Sequence, residues 1–182
     1  NTSTSIMSAG PAIAPARYNK IKLKKEGKDP IELNTGTISV NYYESLYSPT
    51  VTAVITFVDA GGNIEDDKTG ALKSIKEALP LEGNEDLSFK ITTKTGELDF
   101  TKKENTFKVN RCPVIAREAN RHVVMLDLIS KQEKSNDDLP IFDKFKGKIS
   151  DTVKKLLTEK LEITQDKVEV DETENSYNFT GR

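Results

Sequence analysis

Residues 50–58, TVTAVITFV, constrain this chain more than any other stretch. Successive side chains of a strand point to opposite faces, so Val51, Ala53, Ile55 and Phe57 share one face. The other face carries Thr50, Thr52, Val54, Thr56 and Val58, which is hardly polar. A strand semi-apolar on both faces is either central in a sandwich or barrel, or covered by a partner. Just before it, VNYYESLYSP at 40–49 holds Tyr42, Tyr43, Tyr47 and a Ser-Pro break.

The rest of the first two thirds also reads as strands. Residues 18–24, YNKIKLK, alternate apolar and basic, and KEGKDP follows as a turn. After Ile31–Leu33 and an NTG turn, Ile38, Val40, Tyr42 and Leu46 fall on one parity, with Ser39, Asn41, Tyr43 and Ser45 on the other. DAGGNIEDDKTG at 59–70 reads as a long turn. Leu72, Ile75 and Leu79 at helical spacing predict a short helix over 71–79, ended by Pro80. DLSFKITTK at 86–94 alternates cleanly, with Leu87, Phe89 and Ile91 inward, and KTGE turns it back. Residues 106–117 and 121–131 read as a hairpin with Val123, Val124, Met125 and Leu126 as its buried heart.

At Ile149 the period changes. Ile149, Val153, Leu156, Leu157 and Leu161 form one helical stripe, with Ser150 and Asp151 placed to start the helix. An acidic linker, KSNDDLP, precedes it, and a short strand within VEVDETENSYNFTGR follows. The expected fold is mainly β with α+β character. An antiparallel barrel or sandwich over 18–135 is followed by the start of an α/β domain over 136–182, which looks incomplete. Residues 1–17, rich in small residues, Ser/Thr and Pro, read as an extended arm rather than a signal peptide.

Chemistry finds little footing. The 27 basic and 29 acidic residues leave a net charge of −2, which gives no footprint for nucleic acid and no polybasic membrane patch. No apolar run approaches the roughly 20 residues that span a bilayer. His122, the single histidine, lies beside an apolar run with no nucleophile motif near it, and Cys112 reads as a small buried hydrophobe. DAGGNIEDD lacks the glycine and glutamate positions of a calcium loop, and phosphate loops are absent. No catalytic residue, metal ligand or cofactor is expected, and the chain does not read as an enzyme.

The tyrosines remain. Tyrosine suits interfaces because its body is apolar and its hydroxyl can stay wet. A plain barrel strand with one ring in and one out explains Tyr42 and Tyr43 as well. Nucleic-acid stacking would need interleaved Lys or Arg, which these aromatics lack. Tyr42, Tyr43, Tyr47, Val54 and Val58 are therefore the candidate subunit-interface residues.

Four motifs in series carry a resemblance. ISVNYYESLYSPTVTAVITFVDAGG, LPLEGNEDLSFKI, PIFDKFKGKISDTVKKLL and VEVDETENSYNF, together spanning roughly residues 31–179, follow one another in an order that resembles the baseplate hub protein of contractile-tailed (T-even-like) myophages. No motif is catalytic; the order carries the weight. The resemblance implies a tail-tube-like β-barrel followed by an inserted α/β domain. It implies a homotrimeric ring that joins the tail tube to the central spike and touches baseplate wedge proteins. Its location would be the virion tail, assembled in the host cytoplasm. DNA would pass through the lumen without sequence-specific contact, and nothing would anchor the chain in a membrane. The family protein continues well beyond this length, so a second tube-like barrel would be missing. Two other readings stay open: another tube, spike or injection-system component, and a small ligand-binding β-domain or enzyme module with one deep pocket.

Overall fold

The computed structural model describes residues 16–62, 64–65, 69–119, 121–138 and 141–180. The arm expected over 1–17 therefore lies outside the described residues up to Pro15, and Arg17 already opens the first strand.

The chain is mainly β. Strands β1 (Arg17–Lys24), β2 (Ile31–Glu32), β3 (Thr37–Tyr43) and β4 (Thr52–Ala60) come first. The small pair β5 (Ile64–Glu65) and β6 (Leu72–Lys73) follows, and then the single-turn helix α1 (Ile75–Ala78). Strands β7 (Asp86–Thr92), β8 (Glu97–Asp99), β9 (Phe107–Arg111), β10 (Val114–Glu118) and β11 (Arg121–Ser130) complete the large sheet. Its path is β2-β1-β7-β9-β11-β4-β3, antiparallel throughout, with β8 added to β7 and β10 to β11.

This sheet curls into an antiparallel half-barrel. The segment after the first turn explains the curl. Its start pairs with β1, where the Leu33 amide donates to the Ile21 carbonyl at 2.9 Å. Its end pairs with β4, and the Val58 amide donates to the Gly36 carbonyl at 2.8 Å. One stretch of chain thus reaches both ends of the sheet. At Gly36 a Cβ would stand 2.8 Å from the Val58 carbonyl oxygen, so this approach requires glycine.

Two bulges decide which residues face in. In β1 the register slips between Asn19 and Lys22, with Lys20 at φ 55°. The slip lets Tyr18 stand opposite Ile91 while Leu23 stands opposite Leu87, although Tyr18 and Leu23 differ in parity. In β3 the slip between Thr37 and Ser39 turns Ile38 outward, 60% exposed, against the inward place its parity suggests. Leu46 also departs from that parity, because the strand ends at Tyr43 and Leu46 lies exposed in the bend. Inside the curl lie Ile21, Leu23, Val40, Ile55, Phe57, Leu87, Phe89, Phe107, Val124, Leu126 and Leu128. Phe89 touches Phe100 and Phe107 with ring centroids 5.0 and 5.4 Å away.

Several expectations need correction. The helix expected over 71–79 is one turn long, because Leu72–Lys73 pairs with β5 and leaves Leu72 exposed. Ser74 and Glu77 form a reciprocal capping box at its start. The run 106–117 is two strands, since Cys112-Pro113 interrupts the ladder beside β11. The expected linker is mostly helix: α2 (Lys131–Asp138) leaves β11 without a turn and buries none of its residues.

The last part holds β12 (Lys144–Lys148), α3 (Ile149–Lys155), a π-helical turn over Leu156–Lys160, and β13 (Ser176–Thr180). β12 and β13 pair as a two-stranded ribbon. Ser150 is not the cap. It sits inside α3, buried, sharing hydrogen bonds with Thr173, and Lys148 occupies the cap position. The stripe is only half-buried at Val153, Leu156, Leu157 and Leu161, while Ile149 is exposed.

Candidate interaction surface

The expected chemical candidates are occupied by structure. Asp59 is buried at the end of β4, and its carboxylate accepts from the amides of Ile75 (2.8 Å) and Lys76 (3.2 Å). It holds the first turn of α1 in place. Glu85, also buried, accepts from the amides of Glu82 (2.8 Å) and Gly83 (3.1 Å). His122 stands opposite Asp59 in the β11–β4 ladder, but both Asp59 oxygens are already engaged by α1. Cys112 is half-buried; burial, with Glu85 nearby, pushes its thiol pKa up, away from the reactive thiolate. Among the described residues no three His, Cys, Asp or Glu side chains cluster as a metal site, and no helix is long and apolar enough to cross a membrane.

What the fold does build is an outward-facing apolar surface on β10, β11, β4 and β3. Alternation sends Ala53, Ile55 and Phe57 into the core. The same alternation leaves Val54, Thr56 and Val58 half-exposed on the reverse side. In register, Val58 stands opposite Val123, Thr56 opposite Met125, and Val54 opposite Asp127. Ala116 of β10 extends the first row beyond Val123, and Ile115, at the β10 bulge, is 54% exposed. On the other flank Asn41 stands opposite Val54 and Tyr43 opposite Thr52. The rim is polar: Arg111 reaches Asp127 at 2.8 Å. An apolar centre with a polar rim is the composition of a protein-binding patch.

The fold brings Tyr43, Val54 and Val58 onto this one face. Tyr42 points the other way, half-buried against Phe100 with centroids 5.3 Å apart. Its hydroxyl donates to Glu44 at 3.0 Å, and burial followed by that carboxylate pushes its pKa up to about 12. Tyr47 is off the sheet altogether, fully exposed beside Leu46 in the bend. Ser45 and Ser48 shape that bend through hydrogen bonds to the Tyr47 amide and the Thr50 carbonyl.

Val123 and Met125 belong to the surface rather than to a buried heart; only Val124 and Leu126 of that run are buried. The parity argument used for 50–58, applied to RHVVMLDLIS, separates Val123, Met125 and Asp127 from Val124, Leu126 and Leu128. Comparison of the chain with family models, curated proteins and solved structures finds no match.

Proposed function

We propose that this chain is a structural subunit of a phage tail baseplate hub, acting through its surfaces rather than through a reaction. The observation that carries the reading is the two-sided central pair β4–β11. Its inner face fills the core, and its outer face presents Val54, Val58, Val123 and Met125 on two adjacent strands. A partner-free domain gains nothing from an apolar reverse face, whereas a barrel packed beside its neighbours buries it.

In this reading the half-barrel is the tail-tube-like unit. Three copies form a ring between the tail tube and the central spike, with wedge proteins around it, in the virion. DNA passes through the lumen without base contacts. The serial order of the four motifs supports the step from a ring subunit to a hub. The experiment is the mass of the chain in solution, by light scattering over a concentration series. A species of three copies supports the reading. A strict monomer at the highest concentration overturns ring formation by this chain alone.

A further inference from the structure

Two further surfaces, which share none of the residues Tyr43, Val54, Val58, Val123 and Met125, are complementary in charge and polarity. The first is a groove of about 730 Å3 between the Pro49–Val51 bend, α2 and the end of the π-helical segment. Leu157, Leu161 and Ile163 give it one apolar wall, and α2 gives it an opposing wall with Glu133 and Asp137. Neither carboxylate has a cation among the described residues. Glu133 Oε2 has no hydrogen-bond partner among the described residues. The cations of α2 are committed elsewhere: Lys131 to Glu162 and Lys134 to Asp138, each at 2.6 Å.

The second surface is the β12–β13 ribbon. Period-two alternation gives it two unlike faces. Phe145 and Phe179 stack at 5.4 Å on one face, continued by Tyr177, 50% exposed. Lys144 and Lys146 fall on the other face, and neither has an ion pair among the described residues. Lys148, by contrast, is held by Glu172. A lone two-stranded ribbon with a half-exposed aromatic face is marginal in water and gains from a partner.

The two surfaces lie at opposite ends of one helical segment. α3 begins directly after β12, and Leu161 follows Ile149 by about 18 Å at the usual rise per residue. Within one copy the ribbon and the groove are thus set apart along the helical segment. Two different matched surfaces make a head-to-tail contact, which repeats from copy to copy and closes into a ring when the rotation allows.

We propose that the β12–β13 ribbon of one copy of this chain seats edge-on in the groove of the next. Its aromatic face lies on the Leu157–Leu161–Ile163 wall, and Lys144 and Lys146 meet Glu133 and Asp137. The occupant is a second copy because two lysines and two carboxylates, each without an ion pair among the described residues, are complementary in charge, and its two-faced ribbon suits a two-walled groove. The contact does not depend on the hub reading and uses none of its interface residues.

Charge reversal of the full chain tests it, read as mass against concentration at low salt. The double variants K144E/K146E and E133K/D137K should each weaken self-association at least about tenfold. The two variants mixed in equal amounts should associate again, since an acidic ribbon then meets a basic groove and a basic ribbon meets an acidic one. That recovery also shows that both variants are folded. Association of the double variants as tight as that of the parent overturns this contact while leaving the ring on the β4–β11 face standing. A mixture that fails to recover, or a parent that never self-associates, overturns it as well.

Discussion

Val58 and Val123 stand directly opposite each other across the β4–β11 ladder, and both point away from the core. Cross-strand pairs stabilise a sheet modestly, by about 0.2–1 kcal/mol. A half-exposed valine pair therefore adds little within the monomer and is available to a neighbour. Val58→Asp should change monomer stability by no more than about 1 kcal/mol. It should weaken self-association at least about tenfold, because a charge would be carried into a desolvated patch. Denaturant melts and light scattering on the same sample separate the two effects. A variant that associates like the parent removes this face from the assembly.

Phe89 tests the core. It is fully buried and touches both Phe100 and Phe107. Phe89→Ala removes a ring from the middle of an aromatic cluster, and such truncations cost about 3–5 kcal/mol. Against a typical stability of about 5–15 kcal/mol, that loss is large. Chemical denaturation should show a strongly lowered midpoint with little change in slope. A cost under about 1 kcal/mol would mean that the cluster is loosely packed.

How far the sequence could be read follows from where its periodicity is unbroken. β4 and β7 alternate without a slip, so parity alone identifies Ile55, Phe57, Leu87 and Phe89 as core. β1 and β3 each carry a bulge, and a bulge inverts parity beyond it, which is why Ile38 faces out. The helix at 71–79 failed for another reason: Leu72 shares helical spacing with Ile75 and Leu79, but its backbone pairs with β5. Polar α2 carries no apolar stripe, so nothing in its pattern announces a helix. Of the candidate surface, Val54 and Val58 were legible because β4 is apolar on both sides. Val123 and Met125 were hidden within a continuous apolar run, which a barrel core explains as readily as a surface.

Asp59 tests how the α1 turn is held. Its carboxylate satisfies two amides at the start of a helix too short to stand alone. Asp59→Ala leaves those donors unpaired in a buried place, at a cost of about 2 kcal/mol. Asp59→Asn keeps one acceptor and should cost less. Amide hydrogen exchange at Ile75 and Lys76 is the direct readout, with faster exchange in both variants and most in Asp59→Ala. Unchanged exchange in Asp59→Ala would show that α1 is held from elsewhere.

Tyr42 tests the inward assignment that separates it from Tyr43. Burial raises its phenol pKa first, and the Glu44 carboxylate adds to the rise, to about 12. The unfolded phenol titrates near 10. A raised folded pKa means that the neutral phenol is favoured in the folded state. That stability is therefore fully present below about pH 10 and is lost as the pH rises toward 12. Glu44→Gln removes the charge but leaves the burial, so the pKa should fall part of the way back. Ultraviolet titration of the phenolate band, with Tyr42→Phe to assign the late-titrating step, resolves it. A Tyr42 that titrates near the unfolded value of about 10 would place its ring in solvent.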